Sequence, residues 1–270
     1  AHDYYIEGQS KSLWRLNLSG KPQWKEIAQG PRLQGLAMVA HNGKLYRIGG
    51  FTAKNAKGED DDLWSVPTVE SYDPASGKWS SLPDLPEPRS SFDAAVAGDK
   101  IYVIGGWQLR GDQDSVWHKS AYVLDLSEAK PAWKALPEPP FKRRALSVAA
   151  FNDKIYAIGG MQQEDGPTTR VDVLNTKTGE WSKGPALPGE GMDVFGSSAF
   201  ATGGKLYVSS YSGTLYRLSE DGSEWTKVKT LKRDRFFHRM LPVSDNQMIM
   251  VGGASMSSGK FDEIEIIPVN

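Results

Sequence analysis

Apolar and polar positions follow one pattern that recurs along the chain. Its clearest copy is Lys100–Trp107, KIYVIGGW. KLYRIGGF at 44–51, KIYAIGGM at 154–161 and QMIMVGGA at 247–254 repeat it, and KLYVSSYS at 205–212 is a weaker copy. Each copy is a short run of aliphatic and aromatic residues, which reads as a buried strand. Paired glycines end four of the five runs. They mark places where the backbone turns sharply or another backbone comes close. Successive copies lie roughly 45 to 55 residues apart, the spacing of a β-propeller or a similar array.

Weaker strands and turns surround each run. Ser12–Leu18 and Gln23–Ile27, joined by a Ser-Gly-Lys-Pro turn, predict an antiparallel hairpin. Asp3–Gly8 before it reads as a degenerate strand or an ordered loop. In the next unit Leu33–Ala40 predicts a strand, His41-Asn42-Gly43 a turn and Lys44–Phe51 the diglycine strand. A long polar loop, Thr52–Thr68, follows, then strands at Val69–Tyr72 and Lys78–Leu82 around a DPASG turn. The same order repeats from Arg89, with a loop from Gln108 to Ser120 and strands at Ala121–Leu126 and Ala132–Leu136. Further units start at Arg143, near Met192 and at Arg233. The boundaries fall near 1–31, 32–88, 89–142, 143–191, 192–232 and 233–270, within one domain spanning 1–270.

This order resembles the Kelch repeat. The likeness rests on an Arg before the first strand, a diglycine closing the second, and an aromatic or aliphatic third strand. A turn of the form Asp73-Pro74…Gly77…Trp79, or Asn175…Gly179…Trp181, completes it. It covers nearly the whole chain and is closest to bacterial exported Kelch proteins. It implies an all-β, Kelch-type β-propeller with four antiparallel strands per blade. Strand counting favours six blades, the first and last incomplete in this chain; five blades closed by the N-terminal strand is the rival count. An open blade edge exposes unpaired backbone groups, so a segment missing here or a second chain is expected to complete the open blades.

Composition narrows the function. The 270 residues carry 32 Lys and Arg against 33 Asp and Glu, a formal charge of −1. No field of one sign is available to gather nucleic acid. The absence of cysteine excludes disulfides, zinc–thiolate sites and thiol chemistry. It also excludes the cysteine–tyrosine radical cofactor of galactose-oxidase-like Kelch enzymes. No apolar run approaches the roughly 20 residues of a membrane helix. The start at Ala1 fits a processed form or an excised fragment, and with the resemblance it points to a periplasmic, cell-envelope or secreted setting.

The diglycines, and Trp79, Trp133, Trp181 and Trp225, recur too regularly to be anything but structural. Arg32, Arg89, Arg144 and Arg235 precede first strands. In a propeller they would ring one face, either satisfying carbonyls of the neighbouring blade or forming a basic funnel for a carboxylate, a sugar acid or an acidic peptide. Trp64, Trp107, Trp117 and His118 sit in or beside the long loops, where an indole offers a platform for a sugar ring or an anchor for a protein. The run Glu59–Asp62 lacks the spacing of a calcium loop and reads as a solvated acidic loop. His238, paired with an Arg and an acid such as Asp93 or Asp193, would suit proton transfer. No hydrolase elbow, zinc-protease or phosphate-loop motif is present. The sequence favours a non-enzymatic recognition propeller for a protein segment or glycan, without metal or cofactor. The alternative is a sugar mutarotase resembling the Kelch-type sialic acid enzyme.

Overall fold

A computed structural model describes residues 4–269. It is built from antiparallel sheets in chain order. The hairpin Ser12–Asn17/Gln23–Gln29 comes first. The first sheet contains Ala37–His41, Lys44–Ile48, Val69–Asp73 and Lys78–Ser81. The second contains Asp93–Ala97, Lys100–Ile104, Ala121–Asp125 and Trp133–Ala135. The third contains Ser147–Phe151, Lys154–Ile158, Val171–Asn175 and Trp181–Lys183. The fourth contains Ser198–Thr202, Lys205–Ser209, Thr214–Leu218 and Trp225–Thr230. The fifth has three strands, Arg239–Ser244, Gln247–Val251 and Ile264–Pro268. In each sheet the strands pair in sequence order. By internal contacts the chain forms two units. One holds the residues up to Ser90 with Gln108–Val116; the other holds Ser91–Trp107 and the residues from Trp117 onward.

The apolar runs are second strands, buried on both faces. Ile101, Val103, Ile104, Ile155, Ala157 and Ile158 are each 0% exposed. In the second unit the core lies between consecutive sheets. Tyr102, Ile104 and Phe141 pack with Val148, Ile155 and Leu174. Tyr156, Ile158 and Val173 pack with Leu206, Val208 and Trp225. Tyr207 and Leu215 pack with Met240, Met248 and Ile267. Each fully buried aliphatic contributes about 1.5–3 kcal/mol. Two of the recurring tryptophans tie sheets together: Trp181 Nε1 donates to the Pro137 carbonyl at 2.9 Å and Trp225 Nε1 to that of Pro185 at 2.8 Å.

Several boundaries differ from the sequence reading. The predicted strand Leu33–Ala40 begins only at Ala37, because Gly35 has φ +58° and interrupts it. The diglycine ends its strand at Ile48, and Phe51 opens a new one. The long loops hold short hairpins. Phe51–Ala53 pairs with Leu63–Ser65, Trp107–Arg110 lies beside Gln113–Trp117, and Met161–Gln162 pairs with Gly166–Pro167. In the Asp3–Gly8 segment, Asp3 is outside the described residues and Ile6–Gly8 is one 3-10 turn rather than a strand.

Each first strand is reached through a residue of positive φ: Gly35, Ser91, Ala145, Gly196 and Phe237, all between +51° and +61°. In the second unit these residues are linked by backbone bonds. Phe237 N–H donates to Gly196 at 2.7 Å, Gly196 to Ala145 at 3.2 Å, and Ala145 to Ser91 at 2.7 Å. A Cβ on Gly196 would fall 2.8 Å from Phe237 Cδ1 and 3.0 Å from Phe237 N. Gly196→Ala is therefore expected to destabilise the fold by about 1–3 kcal/mol in urea unfolding, whereas Ala145→Gly shifts it by less than about 1 kcal/mol. The reverse order would refute this account of the linked amides.

Candidate functional site

The positive-φ residues set a common register for the arginines. Two positions earlier stand Leu33, Arg89, Arg143, Val194 and Arg235. Arg89 and Arg235 therefore share a position with Arg143, which the sequence reading passed over. Arg32 sits one residue too early and Arg144 one too late, so the four expected arginines are not equivalent.

The shared position is internal. Arg143 is 0% exposed and donates to the carbonyls of Gly159 at 2.9 Å and Arg170 at 2.8 Å, both beside its own sheet. Its Nη2 meets Asp172 Oδ2 at 2.6 Å, while Arg170 holds the other carboxylate oxygen. Burial pulls the Arg143 guanidinium down to about 10, with Asp172 opposing that shift, so it stays charged at neutral pH. Arg235 donates to Gly252 O at 2.9 Å, lies 4.0 Å from Glu265 and covers the Phe261 ring. Arg89 is also 0% exposed, with Glu87 at 3.2 Å. Arg143 and Arg235 thus serve carbonyls of their own blade rather than of a neighbouring one, and Arg89, Arg143 and Arg235 are too enclosed to meet a ligand.

His238 is 2% exposed, and its Nε2 shares a 2.5 Å hydrogen bond with Ser209 Oγ. Burial first, then the charges of Arg235 and Arg239, push the imidazole down to about 3. Asp93 instead takes Arg239 at 2.9 Å and the Val148 N–H at 2.9 Å. Asp193 receives the Glu190 N–H at 3.0 Å and closes a 3-10 turn over Gly191–Val194. The structure therefore does not join His238, Asp93 and Asp193 into one proton-transfer set.

Trp64 closes its own hairpin. Its Nε1 donates to Asp62, and Lys54 Nζ lies 4.0 Å from its ring. From the same acidic run, Glu59 caps the Ala56 N–H at 2.7 Å. Among the described residues, no group of three or more His, Cys, Asp or Glu side chains is arranged to hold a metal ion. Arg32 Nη1 donates to the Gln9 carbonyl at 2.5 Å.

Trp107, Trp117 and Arg144 do come together. Gly106, with φ +89°, sends the chain into Trp107, and His118 N–H returns to Gly106 O at 3.1 Å. This closure brings the two indoles to 5.4 Å in an edge-to-face arrangement. Arg144, paired with Met161 after the next diglycine, lays its guanidinium 4.2 Å from the Trp107 ring and 5.4 Å from that of Trp117. All three are half-buried, while His118 is 4% exposed and serves as the backbone tie. The flat cation on two indoles presents apolar area and planar donors together.

Consecutive antiparallel sheets of four strands, or three in the last, with a diglycine after the second strand of all but the fourth and with the sheets of the second unit packed one on the next, define a β-propeller. The chain belongs to the Kelch-repeat family: residues 35–253 match the KLHDC2/KLHL20/DRC7 Kelch-repeats domain. It is 28% identical over 191 residues to Kelch-like protein 35 of Mus musculus, covering 69% of this chain and 29% of that protein. It is 27% identical over 231 residues to Kelch repeat and BTB domain-containing protein 13 of Homo sapiens, covering 81% of this chain and 44% of that protein. The chain thus spans less than half the length of these relatives. The solved structure of YjhT superposes with a TM-score of 0.78 at 17% identity, covering 96% of this chain and 89% of the other, a likeness of fold.

Two outcomes follow from the buried groups. Arg143→Ala leaves Asp172 enclosed with one guanidinium fewer, and denaturant unfolding should show a loss of about 3–5 kcal/mol. The unfolded chain protonates His238 below about pH 6.5, and the folded chain only near 3. This histidine's contribution is therefore complete above 6.5 and drains away as pH falls toward 3. NMR at pH 5 should find the His238 imidazole still neutral; a midpoint near 6 would refute its enclosure.

Proposed function

We propose that the chain is a non-enzymatic recognition module whose Trp107–Trp117–Arg144 cluster binds an acidic protein segment. The observation that carries this reading is the guanidinium held 4.2 Å over Trp107, with Trp117 edge-on beside it. Stacking fixes the plane of the fork and lowers the entropy lost when it grips a carboxylate. The indoles supply rigid contact area of the kind that anchors protein interfaces. Membership of the Kelch-repeat family supports a protein partner, since Kelch-repeat proteins bind proteins. A glycan carrying a carboxylate would offer similar chemistry with less apolar area for the indoles.

The mutarotase reading requires an accessible acid and base. His238 is enclosed and pushed down to about 3, and Asp193 closes a turn. These placements support binding over proton transfer.

The test is an acidic-peptide array and a glycan array, each probed with the wild type, Trp117→Ala and Arg144→Ala. Peptide signal should fall about tenfold or more in both variants, as loss of an aromatic or Arg anchor predicts. It should also weaken as salt rises. Equal peptide binding by all three proteins would sink the proposal. Acceleration of free-sugar anomer exchange by the wild type would favour the enzyme instead.

A further inference from the structure

The shared register exposes a site in the first unit, independent of the tryptophan cluster. In the third and fifth sheets a buried arginine two residues before the positive-φ position approaches a carboxylate, the second residue of the third strand. The pairs are Arg143 with Asp172 and Arg235 with Glu265. The first sheet keeps the carboxylate, Glu70 in Val69–Asp73, but places Leu33 where the arginine belongs. A cavity of about 300 Å³ opens there, lined by Arg32, Leu33, Thr68, Val69, Glu70 and Asp84 among others. Thr68 occupies the position of Arg170, whose carbonyl receives Arg143, and its own carbonyl accepts from Gly49 as that of Arg170 accepts from Gly159.

We propose that this cavity is a guanidinium-binding subsite, taking the side chain of an arginine from outside the chain or a free guanidino compound. Glu70 lines the cavity while its Oε2 holds Arg47, a residue of the adjacent strand. In the third sheet the matching carboxylate, Asp172, accepts one guanidinium on each oxygen, Arg143 on Oδ2 and Arg170 on Oδ1. Glu70 instead has a single guanidinium, from Arg47 at the position of Ala157, while Leu33 and Thr68 stand at the positions of the two that Asp172 holds. Asp84 adds a second carboxylate, against Arg32 on the same lining, whose Nη1 is engaged by Gln9. Leu33 and Val69 offer apolar wall to a methylene stem.

The test is a ¹⁵N NMR titration of the chain with ethylguanidinium, Nα-acetyl-arginine methylamide and n-butylammonium. Saturable shifts are expected at 33, 52, 68–70 and 84 for the first two ligands. The ammonium, lacking the planar fork, should bind about tenfold more weakly. Equal affinity for both guanidines assigns a free guanidino compound, and tighter binding of the arginine derivative assigns an arginine of a partner. Leu33→Arg, checked by its spectrum and melting curve, should fill the site from within and abolish saturation. Glu70→Gln should weaken binding about fivefold or more and carries the test if Leu33→Arg does not fold. No saturable shift at these positions, equal binding of the ammonium, or undiminished binding by a folded variant would overturn the proposal.

Discussion

The rest of the second unit depends on a row of backbone amides. Phe237, Gly196, Ala145 and Ser91 each occupy the left-handed region, and each of the first three donates its N–H to the carbonyl of its counterpart one sheet earlier. Only glycine adopts that conformation freely; for a residue as bulky as phenylalanine it is an outlier. Phe237 is held there from two sides, by the bond to Gly196 and by ring contacts with Phe195 and Phe236 at 5.2 Å and 5.1 Å. Backbone strain of this kind persists where surrounding contacts over-determine it. The amide row is therefore a constraint on register: it fixes where each sheet begins and what lies one or two residues before.

The position two residues before points into the sheet, where it can satisfy carbonyls at the diglycine. The position one residue before pairs with the residue after the diglycine, as Gln34 does with Phe51, Arg144 with Met161 and Phe236 with Ala254. A single step along the chain thus separates an internal guanidinium from one that reaches the loop tryptophans. Arg143 and Arg144 are chemically identical and adjacent, yet one is sealed among carbonyls and Asp172 while the other covers two indoles.

This explains what the sequence could and could not disclose. The second strands were legible because burial on both faces leaves an unbroken apolar run, and the diglycines because their geometry demands them. Hairpins such as Trp107–Arg110 with Gln113–Trp117 look like loops in the sequence, since polar residues interrupt them and each arm is short. The arginine register was not legible, because three of the five marker residues are Ser91, Ala145 and Phe237, with no composition to announce a positive φ. The third-strand acids, Asp172, Glu265 and Glu70, were the available signal, since each directly follows the first residue of its strand. Trp107 and Trp117 were legible as candidates, but their closure by the His118–Gly106 bond is a tertiary fact.

Repetition also shows how such a scaffold acquires individual sites. A position kept as arginine remains committed to holding its sheet together, because its guanidinium is consumed by carbonyls and a carboxylate. Where another residue stands at this position, two arrangements are found. At Val194 the space is closed: the side chain is 0% exposed, and a Cβ on Gly159 would lie 2.8 Å from its carbonyl oxygen. At Leu33 a cavity lies beside the matching acid, Glu70, which is tied to Arg47 from the neighbouring strand. Glu70 is 27% exposed and the nearly buried Arg47 is its cation, so the acid sits at the cavity wall both paired and in reach of solvent. That pairing leaves the space beside Glu70 open while the sheet stays intact, and open space beside a charge is what chemical recognition requires.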